Sequence, residues 1–260
     1  MTILDELAEY AKKRVAEEKK KLSLEEIKKT AFSMPKGDFS FEKALKKDDI
    51  AFICECKKAS PSKGIIAENF PYLEIAGEYE KAGADCISVL TEPSRFLGND
   101  IYLKEITEKV SIPCLRKDFT VDEYMIYQAK LLGASAVLLI CSILDKSQIK
   151  EYIDICGMLG LSALVEVHDE KEIETALQSG AGIIGVNNRN LKDFSVDTEN
   201  SRNLRKLVPN DVIFVSESGV KTPEDVRKLS DIGANAVLIG ETLMRAENKR
   251  DMLAKLKGII

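Results

Sequence analysis

The sequence predicts the α/β class, a (β/α)8 TIM barrel with an N-terminal helical extension, and three observations support that expectation. From residue 50 onward, short Val/Ile/Leu runs alternate with amphipathic runs of helical spacing, eight of each. The apolar runs lack polar alternation, the mark of strands covered on both faces in a parallel sheet wrapped by helices. A pattern also recurs: AGADCISVL from residue 82, LGASAVLLI from 132, SGAGIIGVN from 179 and IGANAVLIG from 232. Each copy reads as a helix end, a glycine suited to a left-handed cap, an alanine and a strand. Eight βα units fit a closed barrel better than an open doubly wound sheet. No G-x-G-x-x-G turn follows the first strand, as a dinucleotide site would require.

Taken in order, residues 2 to 21 are expected as a helix, on the spacing of Leu4, Leu7, Ala11 and Val15, with Lys19, Lys20 and Lys21 as its solvated end. Ser23 with Glu26 forms a capping box that opens a second helix to about Phe32, which Met34, Pro35 and Gly37 break. Phe41 to Lys47 reads as one or two further helical turns. Strands are expected near 50–57, 86–90, 112–117, 137–141, 162–167, 182–187, 212–217 and 236–240. Helices fit near 72–82, 100–109, 122–132, 145–158, 169–178, 198–207, 223–231 and 248–257. The whole is expected as one domain, with residues 1–48 as an extension packed against the barrel.

Composition narrows the function. The 260 residues are 45% hydrophobic, enough for a large core, and the net charge of −5 argues against a nucleic-acid surface. No apolar run approaches the length of a membrane span, and the start of the chain lacks a signal peptide's apolar core. Cys54, Cys56, Cys86, Cys114 and Cys141 sit inside apolar strand-like runs without C-x-x-C spacing, which reads as small buried residues in a reducing compartment. With a single histidine, His168, a zinc site is not expected. The expected protein is cytoplasmic, a monomer or homodimer, without metal or cofactor.

The stretch AFICECKKASPSKG, residues 51 to 64, points to the chemistry. Side chains alternate along a strand, so Ile53, Glu55 and Lys57 share one face, and that apolar face ends in an acid and a base. Later strands end alike. The same parity places Lys117 after Leu115, Glu166 after Leu164, Asn187 and Arg189 after Gly185, and Glu217 after Val215. Unrelated surface charges have no reason to share the parity of inward apolar residues, so a common mouth is expected, at the strand ends where such barrels do chemistry. Strand seven runs into SESGV, and Gly240 after strand eight opens a short extra helix. Ser218, Gly219 and Gly240 therefore suit a phosphate held by backbone N–H groups, with the Glu241 side chain turned away from it. Lys57, Lys117 and Arg189 imply a second negative group on a small anionic substrate. Catalysis is then acid/base or covalent at lysine.

The motifs ECKKASPSKG, VLTEPSRFLG, LRKDFTVDEYMIYQAK, LLIC, LVEVH, GVNNRNL, SESGV and LIGETLM closely resemble, in order over residues 50 to 245, the indole-3-glycerol phosphate synthase family. The resemblance implies a cofactor-free carboxy-lyase of tryptophan biosynthesis. It implies Lys117 as general acid on the substrate ketone and Glu166 as acid/base group for dehydration. Lys57 would contact substrate and support proton transfer, while Glu55 and Glu217 complete the charged network and Asn187 orients the substrate. Ser60 with Arg189 would face the substrate carboxylate, and Phe96, Phe119 and Leu138 its aromatic ring. Backbone groups at Ser218, Gly219, Gly240 and Glu241 would take the phosphate. The loop from Ser60 to Asn69 is expected as a mobile lid.

Two departures accompany the resemblance. With no Trp in the chain, the place of an N-terminal aromatic above the substrate is unassigned, with Tyr10 a candidate for it, and Lys58 stands where Arg is common. The residues alone leave open a phosphoribosylanthranilate isomerase, an aldolase with a Schiff base at Lys117, or a barrel that binds sugar phosphate or a partner enzyme without catalysis.

Overall fold

The computed structural model describes residues 2–190 and 193–259. Strands β1 (Ala51–Cys56), β4 (Cys86–Leu90), β5 (Cys114–Lys117), β6 (Ala136–Ile140), β7 (Ser162–Val167), β8 (Ile183–Asn187), β9 (Ile213–Glu217) and β10 (Ala236–Ile239) close into a barrel. Every barrel pairing is parallel, and β1 closes the ring by pairing with both β4 and β10. Nearly all barrel-strand residues are buried, which explains the unbroken apolar runs. Helices α4 (Tyr72–Lys81), α5 (Asp100–Lys109), α6 (Glu123–Leu131), α7 (Lys146–Leu159), α8 (Glu170–Gln178), α9 (Glu199–Arg205), α10 (Pro223–Asp231) and α12 (Lys249–Leu256) follow successive strands, and the short α11 (Glu241–Met244) comes directly after β10. The repeated glycines 83, 133, 180 and 233 take φ between 79° and 88°, the left-handed cap that their pattern implied.

The extension is α1 (Ile3–Lys21), α2 (Leu24–Ser33) and α3 (Ser40–Leu45). Helix α1 buries Leu7, Ala8, Ala11 and Val15, and the capping box of α2 is formed by Ser23 and Glu26 as its sequence indicated. Polar side chains fix α1 to the barrel. Arg14 reaches the buried Asp118 at 2.8 Å, and Lys19 reaches Asp122 at 2.7 Å, so Lys19 is a tether and not part of a freely solvated end. The strap after α2 crosses the end of α7, where Gly37 N–H donates to Leu159 O at 2.9 Å. A Cβ on Gly37 would lie 2.3 Å from Gly160 O, so only glycine allows this approach.

Two details were absent from the sequence reading. The segment after β1 folds into a small antiparallel pair, β2 (Ala59–Ser60) with β3 (Gly64–Ile65), and a 3-10 turn, Cys141–Ile143, follows β6. All six cysteines are free and buried. No helix among the described residues is long and apolar enough to cross a membrane.

Candidate active site

The polar residues that end the barrel strands on the inward parity lie together. Glu55, Lys57, Lys117, Glu166, Asn187, Arg189 and Glu217 all line one cavity of about 450 Å³ at the mouth where the strands end. Three of them, Glu55, Glu166 and Glu217, are 4% exposed or less. Carboxylates so buried require counter-charges, and the two lysines supply them. Lys57 Nζ sits 2.7 Å from Glu55 Oε1, and Lys117 Nζ bridges Glu166 Oε2 and Glu217 Oε2, at 2.8 Å each. Asn187 donates to Glu166 Oε1 at 3.2 Å and accepts from Ser218 Oγ at 3.1 Å and from the Arg189 N–H at 3.0 Å.

Two glycines make room for these acids. A Cβ at Gly185 would fall 2.2 Å from Glu217 Oε1, and one at Gly240 would fall 2.4 Å from Glu55 Oε1 and 2.9 Å from Lys57 Nζ. Ser218, with φ of 67°, is a non-glycine residue in the left-handed region, a strained conformation of the kind concentrated at functional sites.

The electrostatics differ among members. Burial opposes the Lys117 charge, but Glu166, Glu217 and Glu55 outweigh it and hold the amine protonated well above the usual lysine range. Burial also pushes up both carboxyls that Lys117 bridges. At Glu166 the pull of Lys117, His168 and Asn187 prevails, and the group is held below its ordinary value. At Glu217 burial, reinforced by Glu166 and Glu55, outweighs Lys117 and pushes the carboxyl up to about 7. The site thus holds an ionised carboxylate and a neighbour poised to take a proton near neutrality.

The ring order gives the cavity two ends. In a closed ring β1-β10-β9-β8-β7-β6-β5-β4, strands β9 and β10 stand across from β5 and β6. Phe96, Phe119 and Leu138, from the β4, β5 and β6 side, line the cavity with Phe96 and Phe119 ring centroids 6.1 Å apart. On the β9 and β10 side the lining is Ser218, Gly219, Gly240 and Glu241, together with Lys221 and Arg245. The arrangement suits a flat apolar group at one end and an anion at the other, with the acid and bases between.

Glu241 does not turn wholly away, as the sequence reading had it. Its carboxylate lies along the rim, 3.1 Å from Arg245 Nε and 3.9 Å from Arg189 Nη2. Ser60, Pro61, Ser62 and Lys63 form another wall. Tyr10 is 41% exposed and lies outside the lining; α1 instead offers Ile3, Leu4 and Leu7 to the cavity.

Sequence reasoning missed three supporting residues. Glu92, buried just after β4, accepts the backbone N–H groups of Ser94, Arg95 and Phe96 at 2.7, 2.8 and 3.0 Å and so sets the turn that aims Phe96. Asp118, between Lys117 and Phe119, holds Arg14 of α1. His168 stands behind Glu166, with Nε2 at 3.4 Å from Oε1. An acid before a Pro-Ser turn was the available signal for Glu92; nothing local marked Asp118. Among the described residues, no group of three or more His, Cys, Asp or Glu side chains is arranged to hold a metal ion.

The family model described as indole-3-glycerol phosphate synthase matches residues 4–256. The chain is 58% identical over 257 residues to the indole-3-glycerol phosphate synthase of Ruminiclostridium cellulolyticum, covering 98% of this chain and 99% of that protein. It is 55% identical over 258 residues to the one of Endomicrobium trichonymphae, covering 98% and 99% respectively. Among solved structures, 3-hexulose-6-phosphate synthase from Salmonella typhimurium superposes with a TM-score of 0.67 at 14% identity, over 81% of this chain and 98% of that one, a likeness of fold alone.

Proposed function

From the premise that this chain belongs to the indole-3-glycerol phosphate synthase family, we propose that Lys117 is the general acid and Glu166 the acid/base group of its reaction. The chain is a carboxy-lyase of tryptophan biosynthesis acting on a phosphorylated small molecule. It converts 1-(2-carboxyphenylamino)-1-deoxyribulose 5-phosphate to indole-3-glycerol phosphate, CO2 and water.

The chemistry assigns the roles. Protonation of the ketone oxygen by Lys117 makes its carbon electrophilic, and the carboxylated ring carbon attacks it to close a five-membered ring. The nitrogen then carries positive charge as an iminium, which accepts the electron pair released when CO2 leaves. Loss of the hydroxyl next needs an acid at oxygen and a base at the neighbouring carbon, and Glu166 moves that proton. The iminium is the electron sink, so the scheme calls for no cofactor. Lys57, paired with Glu55, contacts substrate and supports proton transfer; Glu217 steadies the Lys117 charge, and Asn187 orients substrate beside Glu166.

Phe96, Phe119 and Leu138 take the aromatic ring, Ser60 and Arg189 face its carboxylate, and the backbone at Ser218, Gly219, Gly240 and Glu241 takes the phosphate. Residues 1–48 are read as an extension of one domain, with the Ser60–Asn69 segment as its lid. A cytoplasmic location suits six buried, unpaired thiols, and the chain is read as a monomer or homodimer.

The observation that carries the proposal is the Lys117 amine held at 2.8 Å from two buried carboxylates inside a cavity that joins an apolar end to an anion end. A single-turnover experiment with Glu166→Gln tests it. Substrate labelled in the carboxylate should release CO2 while indole absorbance lags. Loss of both signals in parallel would place Glu166 at an earlier step.

A further inference from the structure

His168 lies two residues past Glu166 on the same parity, just beyond the end of β7. Its Nδ1 side is fixed. Glu172 Oε2 lies 3.1 Å away and Ser142 Oγ 3.3 Å away; Ser142 Oγ also donates to Glu172 Oε1 at 2.6 Å, and the His168 N–H donates to Glu172 Oε2 at 2.7 Å. The Asn200 amide further holds the His168 carbonyl at 3.3 Å. Residues from the turn after β6 and from α8 therefore orient this ring, and α9 holds its backbone, which is more than a space-filling side chain requires.

The other edge of the ring is different. Nε2 is buried, forms no hydrogen bond, and faces Glu166 Oε1 at 3.4 Å. A carboxylate at Nδ1 draws a proton to that nitrogen, so the neutral ring would aim the Nε2 lone pair at an ionised carboxylate. A second ring proton turns that repulsion into attraction. Burial works against the imidazolium charge, but Glu172, Glu166 and Glu217 outweigh it and raise the basicity of the ring, while Lys117 sits on the other oxygen of Glu166. Asp169, next in the chain, spends its side chain on capping α8.

In the free protein Glu166 already has a cation in Lys117. The general-acid role proposed above for Lys117 requires that amine to turn to the ketone oxygen and leave the carboxylate. We infer that His168 is a positioning residue for Glu166: anchored through Nδ1 by Glu172 and Ser142, it presents a protonated Nε2 to the carboxylate and replaces Lys117 as its counter-charge. This inference rests on the acid/base role given to Glu166 above.

Because His168 is the only histidine in the chain, its titration can be read directly. Tag-free protein with isotope-labelled histidine should show one imidazole whose pKa falls by about one unit or more in Glu166→Gln, the size expected on losing an opposite charge at this distance. The imidazole pKa should also fall in Glu172→Gln. For turnover, His168→Gln, with folding checked by thermal melting, should lower kcat roughly tenfold, comparable to losing a partner that orients a metal ligand. KM should hold within about twofold, and the acid limb of the kcat profile should move up by about one pH unit.

An imidazole pKa unchanged in Glu166→Gln, or a His168→Gln profile that superposes on the parent, would overturn the inference. Glu166→Gln that forms indole product at the parent rate would overturn the acid/base role itself. An inactive Glu166→Gln with an unmoved imidazole would remove His168 alone. The titration arm needs no His168 variant, so a variant that fails to fold leaves the test intact.

Discussion

Gly185 is a strand residue whose missing side chain is space for a carboxylate, and Gly185→Ala should cost more activity than stability. The added Cβ would meet Glu217 Oε1 at 2.2 Å and Leu164 Cδ1 at 3.1 Å. Ordinary contact then requires the carboxylate to retreat by about 1 Å, beyond which its contact relaxes. The atom that must yield is the end of a side chain, so the fold survives. Rotation off its favoured rotamer costs about 0.5–1.5 kcal/mol, for which a barrel of this size should lose roughly 1–6 °C in Tm.

Activity is more sensitive, because Glu217 holds Lys117 at 2.8 Å, and a displacement of about 1 Å in a catalytic constellation costs on the order of a hundredfold. The assay is kcat/KM from indole fluorescence beside a thermal melt. Gly157→Ala is the matched control. It sits inside α7, where an added Cβ meets nothing within 4 Å, and it should leave activity unchanged and gain about 0.5–1 kcal/mol. Gly185→Ala with parental activity, or with unfolding that accounts for all of the lost activity, would refute the reasoning.

The Arg14–Asp118 pair gives a stability prediction: Arg14→Met takes the nearer cation from a buried carboxylate that keeps Arg116 at 3.7 Å and the Thr91 hydroxyl, and losing such a charge-assisted hydrogen bond costs about 1.5–3 kcal/mol. Burial works against the Asp118 charge, but Arg14 and Arg116 outweigh it and hold its carboxyl below the ordinary aspartate value. Its stabilising contribution is therefore present above the unfolded-state pKa of about 4 and is lost as pH falls through the lower folded-state value. Arg14→Met should accordingly raise the acid-unfolding midpoint, measured by circular dichroism; an unmoved midpoint would show that the pair contributes nothing. The Glu217 carboxyl, pushed up to about 7, should give a kcat/KM limb near that pH in the free enzyme, and Glu217→Gln should remove it. A limb that persists in the variant would assign it to another group.

Much of the site was legible because one rule, alternation along a strand, acts on every barrel strand alike. Glu55, Lys117, Glu166 and Glu217 each follow apolar inward residues, and the closed ring brings their ends together. Contacts distant in sequence carried no such signal. Arg14 and Asp118 are 104 residues apart, and only the docking of α1 joins them. Tyr10 was misread for a local reason: it lies off the buried stripe of Leu7, Ala8, Ala11 and Val15, so the helix turns it to solvent. The β2–β3 pair has two residues per strand, too few for periodicity to register. His168 was weighed only as a zinc ligand, although its spacing to Glu172 at the start of a helix allows an i, i+4 contact.

Ring closure by this route depends most on a protonated amine at Lys117 reaching the substrate's ketone oxygen. Its most direct test is Lys117→Met supplied with 1-(2-carboxyphenylamino)-1-deoxyribulose 5-phosphate, with the fluorescent indole product followed over time. Loss of a positioned general acid should lower kcat by about 10²- to 10⁴-fold, while folding and phosphate-end binding persist. Turnover at the parent rate would contradict the account.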